Sequence, residues 1–441
     1  MSQNVNSLAW NGRSWTRVET WTFIAFGFGY LLESYIFGLG SIATSWYHIP
    51  STFLKSLLLA WAPIWLIIGI IVSGPLSDRL GRKNTFTITM TLYGLGGVGI
   101  YFSNTYVLVL VFLSMLLFAA GGEMNTIMVA THEMMPREHR GKASMLQLNF
   151  INVGGIVLAL VSILAAHAYN QNVGFQRGMI SITALVVLVV LIFSRARIPE
   201  SIRWLMKKGR QAEAEAQVQR YYGYDLATWL ELRAPKKRAT PTTPIKRVGL
   251  GLRFYASTSA AFGNTAGFGL MTYVLGPRFF SSDTAAILLV ADGVQLLAGF
   301  FGLMADRVSR RWMFFASTTL TFFVTVVVWI LEGAWSKNLT FFFILLVILN
   351  LFNSVAYLTE DTVKGEIWPT DRRGTYTAVV RFISIGVYAG TIFVTEHFSL
   401  RGTVLFNAVV WFVAALGTFV WLLKGVESGA GASVEEASQE A

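Results

Sequence analysis

From residue 21 onward the chain alternates between apolar runs of about twenty residues and shorter polar stretches. Twelve runs can be read, at approximately 21–44, 53–74, 85–103, 107–130, 144–167, 178–195, 250–275, 284–305, 313–332, 340–359, 375–395 and 402–423. About 20 apolar residues is the length at which a helix crosses the hydrocarbon core of a bilayer. A backbone in lipid must satisfy its own hydrogen bonds, so each run predicts a spanning helix. The polar stretches are short except for 196–249. Within that segment "GRQAEAEAQVQRYYG" from Gly209 reads as a helix followed by a linker, and "APKKRATPTTPIKR" from Ala234 as a flexible connection. The tail after Gly425, rich in Gly, Ser, Ala and Glu, reads as disordered.

Composition sharpens this picture. Of 441 residues 54% are hydrophobic and only 13% charged, against about 25% charged in an ordinary soluble domain. Most of the surface must therefore face lipid. The first run exceeds a signal-peptide apolar region, and no small-residue cleavage site precedes Trp21, so no cleavable signal is expected. Cysteine is absent, which excludes disulfides and thiolate metal sites.

The net charge of +11 is explained by its placement. If the loops alternate between two sides, one side collects 29 of the 35 Lys and Arg residues. The other side holds five, Lys55, Arg177, Arg278, Lys337 and Arg401, and Arg381 falls inside a run. Basic loops stay cytoplasmic. Both termini and the long segment are therefore expected in the cytoplasm of a multi-pass protein of the cell membrane. The basic excess is an orientation signal and implies no nucleic acid.

The chain also repeats itself. "GPLSDRLGRK" from Gly74 and "GLMADRVSRR" from Gly302 place Asp78 and Asp306 228 residues apart. "EMMPREHRG" from Glu133 and "EIWPTDRRG" from Glu366 share E-x-x-P-x-x-x-R-G at an offset of 233. Each half thus carries one charged cluster after its second span and another after its fourth. Internal repeats of this kind build transporters with a binding site near the midplane. The expected organisation is a cytoplasmic N-terminus (1–20), a six-helix half (21–195), a cytoplasmic linker with short helices (196–249), a second six-helix half (250–424) and a cytoplasmic tail (425–441).

"GPLSDRLGRK" resembles the loop signature G-x-L-x-D-R-x-G-R-K of the major facilitator superfamily, through Gly74, Leu76, Asp78, Arg79, Gly81, Arg82 and Lys83. "PESIRWLMKKGR" from Pro199 resembles the P-E-S-P-R-W-L segment after helix six in sugar porters and related organic-ion and metabolite carriers, with Ile202 where a second proline is usual. The two E-x-x-P-x-x-x-R-G copies are similar to the helix-four and helix-ten endings of the same group. The resemblance implies an all-α fold of twelve transmembrane helices in two pseudo-symmetric halves, working by alternating access. It also implies a cytoplasmic gate of interhelical ion pairs. That role falls on Asp78, Arg79, Arg82, Glu133, Arg140, Asp306, Arg307, Glu366 and Arg373, braced by Glu200 and Arg203. Anchoring of helix ends at the interface is the plainer alternative.

Charges inside the runs are the candidate site, since an ionisable group at bilayer depth is costly. Glu33 lies about 12 residues, or roughly 18 Å, from the cytoplasmic end of its run, and Glu123 about 10 residues, or roughly 15 Å. At matching depths both can face one cavity. "LLESY" and "GGEMN" resemble segments where metabolite–proton symporters place an acid. A carboxyl in a poorly hydrated cavity can take up and release protons. Arg381 can receive an anionic substrate group or pair with Glu360 or Asp361. Asp292, with Gln295 one turn on, can line the same cavity. Gln147, Asn149, Asn152, Asn264, Asn350 and Asn353 can bind a hydroxylated substrate or bond between helices.

Some patterns are missing. "STSAAFGNTAGFG" lacks the Q-Q-x-x-G-x-N that hexose porters resemble, keeping only Gly263 and Asn264. Leu113 stands where many superfamily members carry a helix-four arginine. "NFINVGGIVLAL" lacks the proline of drug–proton antiporters. No phosphate loop is present, and His48, His132, His139, His167 and His397 are not paired at metal spacing. His132 and His139, flanking the helix-four motif, are expected at the wet interface. No metal or cofactor is expected, and no enzymatic activity. The reading is a secondary active transporter of a small metabolite (sugar, polyol or organic acid), driven as a proton symporter. An uncoupled facilitator and a proton-antiport exporter of organic ions are its rivals. A membrane receptor without flux is a third, disfavoured by the short tails. With two halves in one chain, a monomer is expected to function.

Overall fold

A computed structural model describes residues 15–135, 140–168, 172–233, 248–368 and 373–428. The predicted connection at 234–247 and all of the tail beyond residue 428 lie outside the described residues, as does His139. The side chains of His132, Asp78, Glu133, Arg140, Arg203, Asp306, Arg307 and Arg373, part of the predicted gate among them, lie outside them too.

Among the described residues all regular structure is helical. The first group comprises α1 (Arg17–Phe37, continued as Leu39–Ala43), α2 (Thr52–Leu80), α3 (Arg82–Tyr101), α4 (Tyr106–Met134), α5 (Arg140–Leu148 and Phe150–Ala168) and α6 (Val173–Arg195). Three short helices follow, Ile202–Lys207, Gln211–Tyr222 and Leu226–Arg233. The second group comprises α7, which winds from Leu250–Phe262 through the π-turns Gly263–Gly267 and Leu270–Val274 to Leu275–Phe279. It continues with α8 (Thr284–Gly299, then a 3-10 stretch Phe300–Arg307), α9 (Arg310–Ile330), α10 (Leu339–Glu366), α11 (Arg373–Val394) and α12 (Leu400–Lys424).

Local chemistry sets the ends. Thr16 and Glu19 form a capping box at the start of α1. The side chains of Thr105, Asn172, Ser309, Asn338 and Ser399 cap α4, α6, α9, α10 and α12, satisfying first-turn N–H groups that lipid cannot serve. Gly81 turns the chain between α2 and α3 at φ 92°, a conformation that disfavours any residue with a side chain.

Ten described helices are long and apolar enough to cross a membrane. The remaining two of the twelve expected spans are α3 and α7. α3 opens with Arg82, Lys83 and Asn84 and is rich in threonine, which dilutes its apolar run. α7 is interrupted by its π-turns, so no single α-helical stretch is long. Large apolar side chains such as Val107, Leu164, Val189, Leu297 and Ile330 stand exposed on the outside. In water that surface would aggregate; in a bilayer it is the lipid contact.

Within the first group α4 packs on α1, α2 and α3, and α1 on α5 and α6. Within the second, α12 packs on α7 and α9, and α10 on α8 and α9. Two seams join the groups, α5 against α8 and α2 against α11. Helices of the first and second groups thus meet along two main helix pairs.

Candidate functional site

Between the halves lies a cavity of about 130 Å3. α1 contributes Glu33, Ser34 and Phe37, and α4 and α5 contribute Met124, Ile151 and Asn152. From the other half come Asn264, Phe268 and Tyr273 of α7, Gln295 of α8, and Ser384 and Ile385 of α11. α10 supplies Asn353, Tyr357, Glu360, Asp361 and Lys364, and Arg381 of α11 faces them. Of the residues singled out in the sequence, Glu33, Asn152, Asn264, Gln295, Asn353 and Arg381 meet here.

The polar atoms fall into two kinds. Some are committed. Lys364 Nζ lies 3.0 Å from Glu360 Oε1 and 2.9 Å from Asp361 Oδ1, and Arg381 Nη2 donates to Asp361 Oδ1 at 2.8 Å. Gln295 Nε2 donates to Asn350 Oδ1 at 2.9 Å. Others are buried without a partner among the described residues: Glu33 Oε2, Asn264 Oδ1, Asn353 Oδ1, and Arg381 Nε and Nη1. Leaving such groups unmade costs free energy, so together they form a set of free acceptors and donors around an empty volume. Glu33 Oε2 makes no hydrogen bond to the four-residue cluster.

The sequence offers Glu360 and Asp361 only as partners for Arg381 and does not mark Lys364, because the apolar run ends near 359. In the structure α10 continues unbroken to Glu366 and carries all three, buried, onto the cavity wall. Of the two acids Asp361 is the partner of Arg381; both also precede Lys364 by four and three residues, the separation at which helical side chains meet.

Several candidates fall elsewhere. Glu123 is absent from the cavity wall. It is fully buried and bound to Arg195 at the end of α6, with Thr89 Oγ1 3.4 Å from its other oxygen. The Arg195 guanidinium stacks 3.7 Å from the Phe86 ring centroid. A base at the last position of a run looks like an interface anchor, and only the fold turns it inward. Gln147 accepts from Thr131 Oγ1 at 3.0 Å, and Asn149 Nδ2 donates to the Leu296 carbonyl at 3.1 Å. Asn350 Nδ2 donates to the Leu346 carbonyl at 2.9 Å. These three amides bond between or along helices rather than facing the cavity. Asp292 is buried in the α5/α8 seam, also off the wall.

Described gate residues sit at helix ends. Glu200 accepts from the backbone N–H groups of Arg82 and Lys83 at 3.1 and 3.0 Å, so it caps α3 and ties the segment after α6 to it. Arg82 Nη1 donates to the Ser77 carbonyl at 3.1 Å, and Arg79 is exposed. Glu366 lies 3.6 Å from Nε of Arg310 at the start of α9. Arg310 follows Arg82 by 228 residues, the offset of the duplication, so both halves start their third helix on a buried arginine.

The family described as "Sugar (and other) transporter" matches residues 17–422. A niacin transporter from Acinetobacter baylyi is 30% identical over 156 residues, 35% of this chain and 34% of that protein. A glucose transporter from Staphylococcus epidermidis is 24% identical over 95% of this chain and 96% of its own length. The inward-open xylose transporter XylE from E. coli superposes with a TM-score of 0.72 at 17% identity, covering 94% of this chain and 98% of the other. XylE, described as a major facilitator superfamily proton:xylose symporter, has also been solved bound to 6-bromo-6-deoxy-D-glucose, and that form superposes with a TM-score of 0.70.

Proposed function

This chain belongs to the sugar (and other) transporter family, and we propose on that premise that it moves a small hydroxylated metabolite across the cell membrane by alternating access, with a proton carried alongside. It is a transporter, not an enzyme, and an integral membrane protein. The halves 21–195 and 250–424 are the moving bodies, joined by the linker 196–249, with both termini cytoplasmic and one chain sufficing. Substrate hydroxyls bond to Asn264, Asn353 and Gln295. Glu33 carries the proton. The residues at the cytoplasmic helix ends, Asp78, Arg79, Arg82, Glu133, Arg140, Glu200, Arg203, Asp306, Arg307, Glu366 and Arg373, hold that side closed in one state.

The observation that carries this reading is the cavity itself. It is bounded by helices of both halves, and its free polar atoms include a carboxylate oxygen and two amide carbonyl oxygens. Relatives named for glucose, for xylose with protons and for niacin support a small polar cargo. The test is uptake into proteoliposomes under an imposed proton gradient. Glu33→Gln should abolish gradient-driven accumulation and retain substrate exchange. Full accumulation in that variant would overturn the role of Glu33. Exchange with no accumulation in the wild type would make the protein an uncoupled facilitator, and the opposite pH dependence an antiporting exporter.

A second reading rests on the free Nε and Nη1 of Arg381. A guanidinium with unmet donors suits a carboxylate, so the cargo can be an organic acid. Thermal stabilisation against neutral sugars, polyols and carboxylates separates the two. A true ligand at 100 times its dissociation constant adds about 2.7 kcal/mol. A carboxylate response lost in Arg381→Ala selects the acid; a sugar response insensitive to it selects the sugar.

A further inference from the structure

The seam between α5 and α8 is built reciprocally. On α5, Asn149 sits over Gly299 of α8, where an added Cβ would meet its Oδ1 at 2.2 Å. On α8, Asp292 sits over Gly155 of α5, where an added Cβ would meet its Oδ2 at 1.9 Å and its Cγ at 2.4 Å. Each helix thus sends one polar side chain into a notch that only glycine leaves open on the other. Gly154, the neighbouring residue, gives the same close approach to the Leu31 carbonyl of α1, so α5 is fixed on one side and keyed to the other half on the next.

The two keys differ in chemistry. Asn149 is neutral, and its Nδ2 donates across the seam to the Leu296 carbonyl at 3.1 Å. Asp292 is 1% exposed, and neither of its oxygens has a hydrogen-bond partner among the described residues. Among the described residues no cation pairs with it. α5 carries Arg140, Lys142 and His167, near its two ends. α10 carries Tyr357, Glu360, Asp361 and Lys364, all on the cavity wall, and α1 carries Glu33 there. α7 carries Tyr273 on the cavity wall, a phenol that offers no positive charge.

A bare carboxylate in a dry notch is the arrangement proteins avoid; such a group neutralises or finds water. We propose that Asp292 is a proton-binding site separate from the substrate cavity, whose protonation lets the α5/α8 seam close and whose ionisation opens it. The neutral acid fits against Gly155. The carboxylate draws water into the notch, and water between the helices parts them. The α5/α8 pair is one of the two seams joining the halves, so the site sets how readily the halves separate. Its role in transport rests on the alternating-access reading above, whereas the proton-linked seam itself does not.

The test is hydrogen–deuterium exchange of the purified full-length protein in lipid nanodiscs, read at the seam segments of α5 and α8 across a pH series. In the wild type, seam exchange should rise with pH after correction for intrinsic rates, by up to about tenfold per unit, because each unit multiplies the ionised-to-neutral ratio tenfold. Asp292→Asn keeps the shape without the ionisation, so its seam exchange should stay low and flat. Gly155→Ala, which drives a methyl into the carboxylate, should show high exchange already at acid pH. An Asp292→Asn protein with the wild-type pH response overturns the proposal. So does a Gly155→Ala protein indistinguishable from the wild type, which keeps the test alive if the aspartate variant does not fold. Glu33→Gln should retain the seam response. A seam that responds to pH in a protein without proton-driven uptake would refute the coupling proposed for Glu33 and leave this site standing.

Discussion

Glu123 and Arg195 neutralise each other in a place water does not reach, and that makes each dangerous without the other. Arg195 Nε and Nη1 already have no hydrogen-bond partner among the described residues. Removing one partner of a buried ion pair costs about 3–5 kcal/mol, while replacing both with apolar groups is often neutral. Glu123→Leu should therefore lower stability by that amount, and adding Arg195→Leu should restore most of it. Thermal unfolding in detergent measures both; a double variant no better than the single would show that the pair does not act as a unit. The sequence made Glu123 visible because it is a lone acid in an apolar run. It hid Arg195, because a base at the end of a run is where interface anchors also stand. Burial decides between these readings, and burial belongs to the fold.

The same limit appears at the scale of the helix. Apolar runs locate helix centres well, but they end where charge begins, and a buried helix need not. α10 outlasts its run by seven residues and so delivers Glu360, Asp361 and Lys364 to the cavity. α7 departs in another way. Its first π-turn carries Gly263 and Gly267 against Ala414 and Trp411, and Gly269 before the second packs on Tyr388, with an added Cβ on Gly267 only 2.3 Å from Trp411 Nε1. In an exposed helix Gly→Ala would gain up to about 1 kcal/mol of propensity. Here overpacking against a ring 1% exposed should dominate, at about 1–3 kcal/mol. Gly267→Ala should thus lower the unfolding temperature, and pairing it with Trp411→Leu should recover part of the loss. A stabilised Gly267→Ala would mean that α12 moves aside easily. "GNTAGFG" gave no sign of the π winding, which arises from what α7 must pack against.

Across the whole molecule the inheritance from sequence is larger. Twelve runs and two offsets near 230 describe a duplicated bundle in the sequence alone, because lipid leaves a chain few alternatives to spanning helices. What the pattern cannot contain is the pairing of the halves, since the α5/α8 and α2/α11 seams join residues more than a hundred positions apart. The orientation of the bundle is a further consequence of charge. If the loops alternate between two sides, 29 of the 35 bases fall on one, and each resists transfer across the membrane during insertion. The linker helix Ile202–Lys207 and its neighbour Lys208 should then be cytoplasmic, and the turn before α10 holding Lys337 external. The native chain has no cysteine, so single thiols report without background. Lys208 and Lys337 are both exposed, which gives a reagent equal access once the membrane is open. In intact cells a membrane-impermeant maleimide should label Lys337→Cys and spare Lys208→Cys, and lysis should make both reactive. The reverse pattern would place the basic side outside. The gate at Glu200 and Glu366 would then close the external mouth, and the direction of proton-coupled movement would have to be rewritten from there.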